Sequence, residues 1–369
     1  MNPLKNKLKK KSILLIGPYP EPYGGVSIHI KRLYDKLSSN NFNVTVYCQK
    51  NNSLSLPKHI KPTKYNKFNW ILFFFEHLFN LKYDIIHCHD GLRWAPGLLI
   101  LNKLNKRIIV TIHDQMVLDK WKKLRFYEKI CSMILFKQKN IQFIAVSKTV
   151  KDILIQLGIK KDDIIVIPAF IIPSELINFI LPEQITYFAK YRKPLLTIYG
   201  VNFAFDKNNI DLYGFDITIE MINKLKVHFN NIGLFIIVPD NNNINYFNKL
   251  KKRIDLLNLH KNIFIWDKPI ENLNKLWEIT DIYLRPTTTD GDAVAIRESL
   301  YFNTPVVASD AAYRPFMTCI FSSRNIENYY EQVLFSLNNL DLLKNKIKNM
   351  NKINNTDLIL SYYRDIIEI

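Results

Sequence analysis

Short apolar runs recur along the chain, and the segments between them carry apolar residues at helical spacing. This alternation is typical of βα units and a parallel sheet. In the first half, the runs predict six strands, at Ser12–Ile16, Asn43–Tyr47, Asp84–Cys88, Arg107–Ile112, Gln142–Val146 and Asp163–Ile167. Prolines then interrupt the series. It restarts with five more predicted strands, at Pro194–Tyr199, Leu234–Val238, Asn262–Ile265, Ile282–Leu284 and Pro305–Ala308.

The restart of the strand series indicates two domains. A chain of 369 residues is also too long for one ordinary hydrophobic core. We therefore predict two doubly wound α/β domains, each of the Rossmann-like kind. The N-terminal domain covers residues 1–172, a linker 173–192 and the C-terminal domain 193–350, and a closing helix covers 351–369.

The composition narrows the choice of partners. Lys and Arg number 51 against 33 Asp and Glu, a formal charge of +18, which favours an acidic partner. Nucleic-acid recognition usually relies on Arg and on aromatic side chains along a groove, whereas these lysines are scattered through amphipathic segments, so we predict no nucleic-acid partner. The four cysteines lie far apart, which excludes a disulfide framework or a zinc knuckle and fits a reducing compartment.

Two segments bear on membranes. The basic start is followed by a short apolar run, Ile13–Ile16, which is too short for a signal peptide. The apolar stretch Trp70–Leu81 contains Glu76 and His77 and falls short of the roughly 20 apolar residues of a bilayer span. It is either the core face of a crossover helix, which we favour, or, with the basic start, a docking surface for an anionic membrane. We expect a cytoplasmic protein, located there or at the inner face of the plasma membrane.

A glycine pair, Gly24-Gly25, lies where the first predicted strand meets a helix. Without side chains, this turn lets backbone N–H groups approach an anion beside the positive end of the helix. A tight turn with no ligand is the alternative interpretation. The turn is not a dinucleotide fingerprint, because the Gly-x-Gly-x-x-Gly spacing is absent.

Histidines stand at the carboxyl ends of two predicted strands. His87, His89 and Asp90 close one strand, and His113 and Asp114 close the next. Ligands of parallel sheets gather at such ends, so His113, His89 and Asp90 are candidate site residues. His87 is interpreted as a buried, hydrogen-bonded structural histidine. No further clustered ligands complete a metal site, and we predict none.

The segment 282–310 combines a strand, a polar loop, a helix and a second strand. Asp292 is a candidate N-cap, which would leave the amides of Ala293, Val294 and Ala295 free for a phosphate. Glu298 follows about a turn and a half further on, where it can receive hydroxyl groups of the same ligand.

These motifs resemble a retaining glycosyltransferase of family 4, with the GT-B fold. The family signature is an acidic residue, seven others, a Glu, and then a turn followed by Thr-Pro-Val-Val and Ala-Ser. Asp290, Glu298 and residues 304–309 match it in register, although the family usually has Glu where Asp290 stands. The glycine turn, both histidine motifs and Ala145-Val146-Ser147 are also placed as in the family, so the resemblance spans nearly the whole chain.

The resemblance implies two domains facing each other across a cleft that binds a UDP- or GDP-linked sugar. It implies that Asp290 faces the donor sugar, that Glu298 binds the ribose hydroxyls, that His113 lies near the sugar and that Gly25 lies near the diphosphate. It further implies retaining transfer of a hexose-type unit to a surface-polysaccharide or glycolipid precursor, with no obligatory metal or other cofactor.

Two cations of the family are missing. Gly200-Val201 and Tyr213-Gly214 stand where the family has Gly-Arg and Lys-Gly. A leaving diphosphate gains charge and needs cations beyond a helix N-terminus, so we take Arg285 as the replacement, with Lys207 and Arg314 as further candidates. The alternative is that Arg285 pairs with a structural carboxylate.

The missing cations leave other functions open. One is a non-catalytic partner subunit that resembles a glycosyltransferase. Among enzymes, the alternative is a GT-B-fold epimerase or phosphorylase.

Overall fold

The computed structural model describes residues 11–20, 24–49, 57–63, 83–89, 91–103, 106–173, 180–270, 273–350, 352 and 354–368. The chain divides into two compact units. Unit 1 contains residues 1–174 together with 354–369, and unit 2 contains residues 175–353.

The described strands are β1 (Ser12–Ile16), β2 (Asn43–Gln49), β3 (Ile60–Thr63), β4 (Ile85–Cys88), β5 (Arg107–Ile112), β6 (Ile141–Ala145), β7 (Ile164–Val166), β8 (Leu195–Tyr199), β9 (Gly233–Ile237), β10 (Ile263–Trp266), β11 (Ile282–Arg285), β12 (Val306–Ser309) and β13 (Thr318–Phe321).

The described α-helices are α1 (Gly25–Ser39), α2 (Ala95–Lys103), α3 (Val117–Lys122), α4 (Phe126–Leu135), α5 (Lys148–Gln156), α6 (Glu183–Tyr191), α7 (Phe215–Leu225), α8 (Ile244–Leu256), α9 (Asn274–Ile279), α10 (Val294–Tyr301), α11 (Ile326–Asn338), α12 (Leu340–Lys348) and α13 (Asn355–Glu368). Short 3-10 turns cover Gly91–Trp94 and Lys161–Asp163. None of the described helices is long and apolar enough to cross a membrane.

Each unit contains one parallel sheet. Unit 1 has seven strands in the order β3-β2-β1-β4-β5-β6-β7, and unit 2 has six in the order β10-β9-β8-β11-β12-β13. Every strand pair is parallel. Both orders are doubly wound and reverse beside the first strand, between β1 and β4 and between β8 and β11. The predicted fold class is confirmed.

The core of unit 1 combines β1, α1 and the last helix. Ile30, Leu33 and Leu37 of α1 recur at helical spacing and pack in one apolar cluster with Ile13 of β1. Tyr363 of α13 is fully buried in the same cluster. The predicted closing helix therefore packs in the core of unit 1.

Unit 2 is apolar on both faces of its sheet, because successive strand residues point to opposite sides. Leu196 and Ile198 of β8 lie in one apolar cluster, and Leu195 lies in another. The second cluster also contains Ile185 of α6. Residues 173–192, taken as a linker from the sequence, thus include a helix that packs in the core of unit 2.

The structure contains all eleven predicted strands, with ends shifted by at most two residues. Two more strands, β3 and β13, were not predicted. Both are edge strands of only four residues, and three of the four residues of β13 are partly or fully exposed, so neither has a strong apolar run. The four cysteines are free, as expected. The predictions for Trp70–Leu81 and Asp90 lie outside the described residues.

Candidate functional site

The switch point of unit 1, where the strand order reverses between β1 and β4, brings the ends of these two strands together. Gly17 follows β1, and His89 follows the neighbouring strand β4. A methyl group on residue 17 would lie 2.6 Å from Cδ1 of Ile30 and 3.1 Å from Cβ of His89. Glycine at this position therefore lets α1 and the His89 segment approach the end of β1.

His87 is a structural histidine, as predicted. Its side chain is fully buried, with Nε2 2.6 Å from Oγ1 of Thr111 and Nδ1 hydrogen-bonded to the hydroxyl of Tyr363. Its ring lies against that of His89, with 3.9 Å between centroids and the two planes tilted by 34°. Both ring nitrogens are thus occupied by unit 1 itself.

His29, His89 and His113 form a second group of imidazoles. Nδ1 of His89 lies 3.1 Å from Nε2 of His113. Nδ1 of His29 lies 2.6 Å from the carbonyl oxygen of Ala169, which can only accept, so Nδ1 carries the proton and Nε2 has a free lone pair. Nε2 of His29 and Nε2 of His89 are buried without a hydrogen-bond partner among the residues that the structure describes.

Sequence reasoning missed His29. It lies four residues before Leu33 on the buried face of α1, so the helical spacing that revealed that face also marks position 29 as buried. A buried polar side chain on an apolar face is the signal that was available.

All four histidines are neutral at neutral pH. Burial lowers the pKa of His29 to about 4, and it lowers the pKa values of His87, His89 and His113 well below the ordinary value. The imidazole of His29 also lowers the pKa values of the other three. One nitrogen from each of His29, His89 and His113 lies within 4.8 Å of the others, so these neutral rings are placed to hold a divalent cation.

A cavity of about 260 Å³ lies beside this group in unit 1. His89, His113 and Asp114 line it, together with Lys120 and Trp121 from α3. Asp114 forms an ion pair with Lys120. The cavity thus offers both uncharged and charged hydrogen-bonding groups to a polar ligand.

The glycine turn precedes α1, as predicted. The amide of Gly24 donates to Oγ of Ser27 at 2.8 Å, and that hydroxyl donates back to the carbonyl oxygen of Gly24 at 3.0 Å. The amide of Gly24 is therefore occupied, whereas those of Gly25 and Val26 belong to the first turn and have no intrahelical acceptor.

The switch point of unit 2 carries a cluster of charges around Asp290. Nε of Arg285 lies 2.9 Å from Oδ2 of Asp290, and Nη2 lies 3.1 Å from Oδ1, which is a bidentate pair. Nη1 of Arg314 adds a third contact, 2.9 Å from Oδ2. Two cations share one carboxylate, so the cluster keeps a net positive charge.

Arg314 is held in place by the loop that surrounds it. Its side chain is fully buried. Nε donates to the carbonyl oxygen of Ser309 at 2.8 Å, and Nη2 donates to Oγ1 of Thr287 at 3.0 Å. Burial opposes ionisation of Asp290, but Arg285 and then Arg314 outweigh it and lower the pKa of Asp290 to about 2.

Arg285 does pair with a carboxylate, and that carboxylate is Asp290. Its guanidinium also lies over the ring of Tyr213, 5.4 Å from the centroid, and Nη1 donates to the carbonyl oxygen of Tyr199 at 3.1 Å. Tyr213 stands where the resemblance places a lysine. The ring of Tyr213 thus interacts with the guanidinium of Arg285, a cation that β11 supplies.

The prediction that Asp292 caps the following helix is wrong. Helix α10 begins at Val294, and its N-cap is Ala293, whose side chain accepts no hydrogen bond. Asp292 instead receives a hydrogen bond of 2.6 Å from Nε of Arg297. A buried carboxylate gains more from a guanidinium than from one amide, because the ion pair also compensates its charge.

Glu298 lies on α10 and is only 2 % exposed. Burial raises the pKa of the Tyr199 phenol, and the charge of Glu298 adds to this rise. Arg285 contacts the carbonyl of the same tyrosine. Tyr199, at the end of β8, thus interacts electrostatically with Glu298 and contacts the charged cluster, whereas Lys207 is exposed in the loop that follows.

Two family models match the sequence. Residues 23–175 match the model described as Glycosyltransferase Family 4, and residues 210–363 match the model described as Glycosyl transferases group 1. Together they cover more than four fifths of the chain. The search of curated proteins finds no match to this sequence.

Several solved structures share the fold. A glycosyltransferase from Rickettsia africae is 18 % identical and has a TM-score of 0.70, with 97 % of this chain and 99 % of that chain covered. HepE from Anabaena, solved with UDP, is 12 % identical with a TM-score of 0.71, covering 96 % and 100 %. WaaG is 13 % identical with a TM-score of 0.64, covering 94 % of each chain. The family matches and this shared fold together identify the chain as a glycosyltransferase of the GT-B type.

Proposed function

We propose that this protein is a retaining, family 4 enzyme that transfers a hexose-type unit from a UDP- or GDP-linked sugar to a surface-polysaccharide or glycolipid precursor. HepE was solved in complex with UDP and with UDP-glucose, which supports a nucleotide-sugar donor. WaaG is a glycosyltransferase involved in lipopolysaccharide biosynthesis, which supports an acceptor of this class. The protein acts in the cytoplasm or at the inner face of the plasma membrane.

The observation that carries the proposal is the meeting of Glu298, the start of α10 and the charged cluster in unit 2. The amides of Val294 and Ala295 begin α10 and have no intrahelical acceptor, so they are available to a phosphate, with Asp292 and Ala293 shaping the loop before them. Glu298 accepts the hydroxyl groups of the ribose.

Arg285 replaces the missing cations in this proposal. A guanidinium has five N–H donors, and Arg285 uses three of them on Asp290 and on the carbonyl of Tyr199. In this proposal the remaining donors serve the leaving diphosphate, whose growing charge the net positive cluster stabilises. Asp290 stays beside the donor sugar, where its ionised carboxylate fixes both guanidiniums.

Unit 1 supplies uncharged partners. The neutral ring of His113 hydrogen-bonds a hydroxyl of the donor sugar, and the turn at Gly24 and Gly25 lies near the diphosphate. His89 and Asp90 act on the acceptor side. As the family resemblance implies, the leaving phosphate takes the proton of the acceptor hydroxyl as that oxygen bonds to the anomeric carbon on the same face. Side-chain cations take the place of a metal, so none is required.

A thermal-shift screen against UDP-, GDP- and ADP-sugars tests donor binding. A ligand at 100 times its dissociation constant stabilises the folded protein by about 2.7 kcal/mol, so one nucleotide class should raise the melting temperature. Arg285→Ala should lose this shift, whereas Lys207→Ala, which removes an exposed cation, should keep it. No shift with any nucleotide sugar would remove the basis of the proposal.

Transfer of radiolabel from the selected nucleotide sugar to a lipid-linked or glycan acceptor tests catalysis. Labelled product excludes a non-catalytic partner subunit. An epimerase or phosphorylase would instead change the donor without labelling the acceptor.

A further inference from the structure

The imidazole rings of His29, His89 and His113 form a nearly equilateral triangle in unit 1. The ring centroids of His29 and His89 are 5.2 Å apart, those of His29 and His113 5.0 Å, and those of His89 and His113 5.4 Å. Each ring comes from a different part of the fold, because His29 lies on α1, His89 follows β4 and His113 follows β5. The tertiary structure thus gathers three potential metal ligands around one point.

This triangle has the dimensions of a zinc site. Tetrahedral zinc holds imidazole nitrogens at about 2.0 to 2.1 Å, which places the ligand nitrogens about 3.3 Å apart and the ring centroids about 5 Å apart. Nδ1 of His89 and Nε2 of His113 are 3.1 Å apart, and one nitrogen from each of the three rings lies within 4.8 Å of the others. Small side-chain movements therefore bring all three nitrogens onto one ion.

His29 has the orientation of a metal ligand. Histidines that bind metals usually donate their other ring N–H to a carbonyl or carboxylate oxygen, which fixes the ring and directs the second nitrogen at the ion. Nδ1 of His29 donates to the carbonyl oxygen of Ala169 at 2.6 Å, so Nε2 keeps its lone pair. That nitrogen is buried without a hydrogen-bond partner in the part of the chain that the structure describes. A metal ion would supply the partner that this buried acceptor lacks.

Protons do not compete with a metal ion for these rings at neutral pH. Burial lowers the pKa values of His29, His89 and His113, so each imidazole is neutral, which is the form that binds metals. The hydrogen bond between His89 and His113 opens when both of its nitrogens turn their lone pairs to the ion. The proton of that bond moves to the other nitrogen of the ring that carries it, so both rings stay neutral.

We propose that His29, His89 and His113 form a binding site for a divalent transition metal ion, zinc above all, and that zinc bound there inhibits sugar transfer. Three imidazoles leave the fourth position of a tetrahedral ion open, and the cavity lined by His89 and His113 gives the ion a path to them. The inhibition rests on the proposed function, because the ion would take the imidazole with which His113 binds the donor sugar. Transfer itself needs no metal, so the site adds a means of inhibition.

Titration of the full chain with Co²⁺, after dialysis against EDTA, tests the site without an activity assay. Tetrahedral Co²⁺ with nitrogen ligands absorbs visible light, so we expect an absorption band that saturates at a single Co²⁺ per chain and disappears as Zn²⁺ displaces it. His29→Gln and His113→Gln should each weaken the affinity for Zn²⁺ at least tenfold, since even the loss of an outer-shell partner weakens a site by about tenfold or more.

The matched control is His228→Gln/His260→Gln, which removes two exposed histidines of unit 2. It should keep the affinity for Zn²⁺ within about twofold of the unsubstituted chain, because it leaves the triangle unchanged. Circular dichroism checks the fold of every variant. X-ray absorption at the zinc edge of the unsubstituted chain depends on no variant, and it should show imidazole nitrogens at about 2.0 to 2.1 Å.

Turnover in the presence of Zn²⁺ tests the inhibition. We expect transfer to fall at least tenfold at the Zn²⁺ concentrations that saturate the site, and EDTA to restore the rate. His29→Gln should require at least tenfold more Zn²⁺ for the same inhibition, in proportion to its weaker binding.

Equal Zn²⁺ affinity in the triangle variants and the unit 2 control would overturn the site, and so would an X-ray absorption spectrum without imidazole ligands. Zinc that fills the site and leaves transfer unchanged would overturn the inhibition. A chain that binds zinc as described but transfers sugar from no donor would contradict the proposed function and leave the zinc site standing. The two proposals can therefore fail separately.

Discussion

The two units have the same sheet order and carry opposite kinds of chemistry at their switch points. Unit 1 places neutral histidines there, including His113, and unit 2 places the permanent charges of Arg285, Asp290 and Arg314. Burial explains both. The cation Arg32 lowers the pKa of His29 further, whereas in unit 2 opposite charges keep one another ionised. A buried site can thus be polar without charge, or charged through pairing.

The largest effect on the protein should come from breaking the ion pairs of Asp290 in unit 2. Asp290→Asn leaves the guanidiniums of Arg285 and Arg314 without their carboxylate, and removing one member of a buried ion pair costs about 3 to 5 kcal/mol. Urea denaturation should show this loss in the free energy of unfolding. Glu327→Gln, which breaks an exposed pair with Lys224, is the control and should cost less than about 1 kcal/mol. Equal losses of the free energy of unfolding in the two variants would show that the Asp290 cluster stabilises the fold no more than an exposed ion pair does.

The second largest effect should be on the use of the nucleotide-sugar donor. Glu298→Gln keeps the size of the side chain but removes its charge, and a charge-assisted hydrogen bond contributes about 1.5 to 3 kcal/mol, so kcat/KM for the nucleotide sugar should fall at least tenfold. Steady-state kinetics with the donor varied measure this change. Glu278→Gln, an exposed acid on α9, should leave kcat/KM unaltered. Unchanged kinetics in Glu298→Gln would contradict the proposed contact with ribose.

The neutral histidines of unit 1 predict that the stability of the protein depends on pH. The pKa of His29 falls from 6.5 to about 4 on folding, so between these values the unfolded chain binds a proton that the folded chain excludes. Stability therefore falls as the pH drops through this window, and His29 alone contributes about 2 kcal/mol of the loss between pH 7 and pH 5.

His29→Gln tests this contribution through urea denaturation at both pH values. The loss on acidification should be smaller by about 2 kcal/mol than in the unsubstituted protein. His260→Gln removes an exposed histidine of unit 2 and should leave the loss unaltered. If both variants lose as much stability between pH 7 and pH 5 as the unsubstituted chain does, protonation of His29 is not a cause of the loss.

The smallest expected effect is that of EDTA. Side-chain cations serve the diphosphate in the proposed mechanism, so turnover after exhaustive dialysis against EDTA should stay within about twofold of the untreated rate. If EDTA inhibits turnover and added zinc restores it, a metal cation is bound by His29, His89 and His113 during transfer. Unit 1 would then carry a permanent charge, and the contrast with unit 2 would fail.

The strands were the most predictable part of the fold, because each depends on a local apolar run. Arg107–Ile112 was predicted to the residue, whereas the short edge strand Thr318–Phe321 was missed. Glu298 was singled out by its sequence motif, and its role as a site residue stays a prediction. The cap at Asp292 was not predictable in the same way, since its competing partner Arg297 is visible only once the loop has folded.

The sequence by itself determined two parallel sheets and a set of glycosyltransferase motifs, since periodicity and short motifs are local. Only the tertiary structure decided that Arg285 and Arg314 share Asp290, and that His87 meets Tyr363 from the other end of the chain. It also decided that His29, His89 and His113 lie together. These outcomes depend on which distant segments become neighbours, and the order of strands in each sheet sets that.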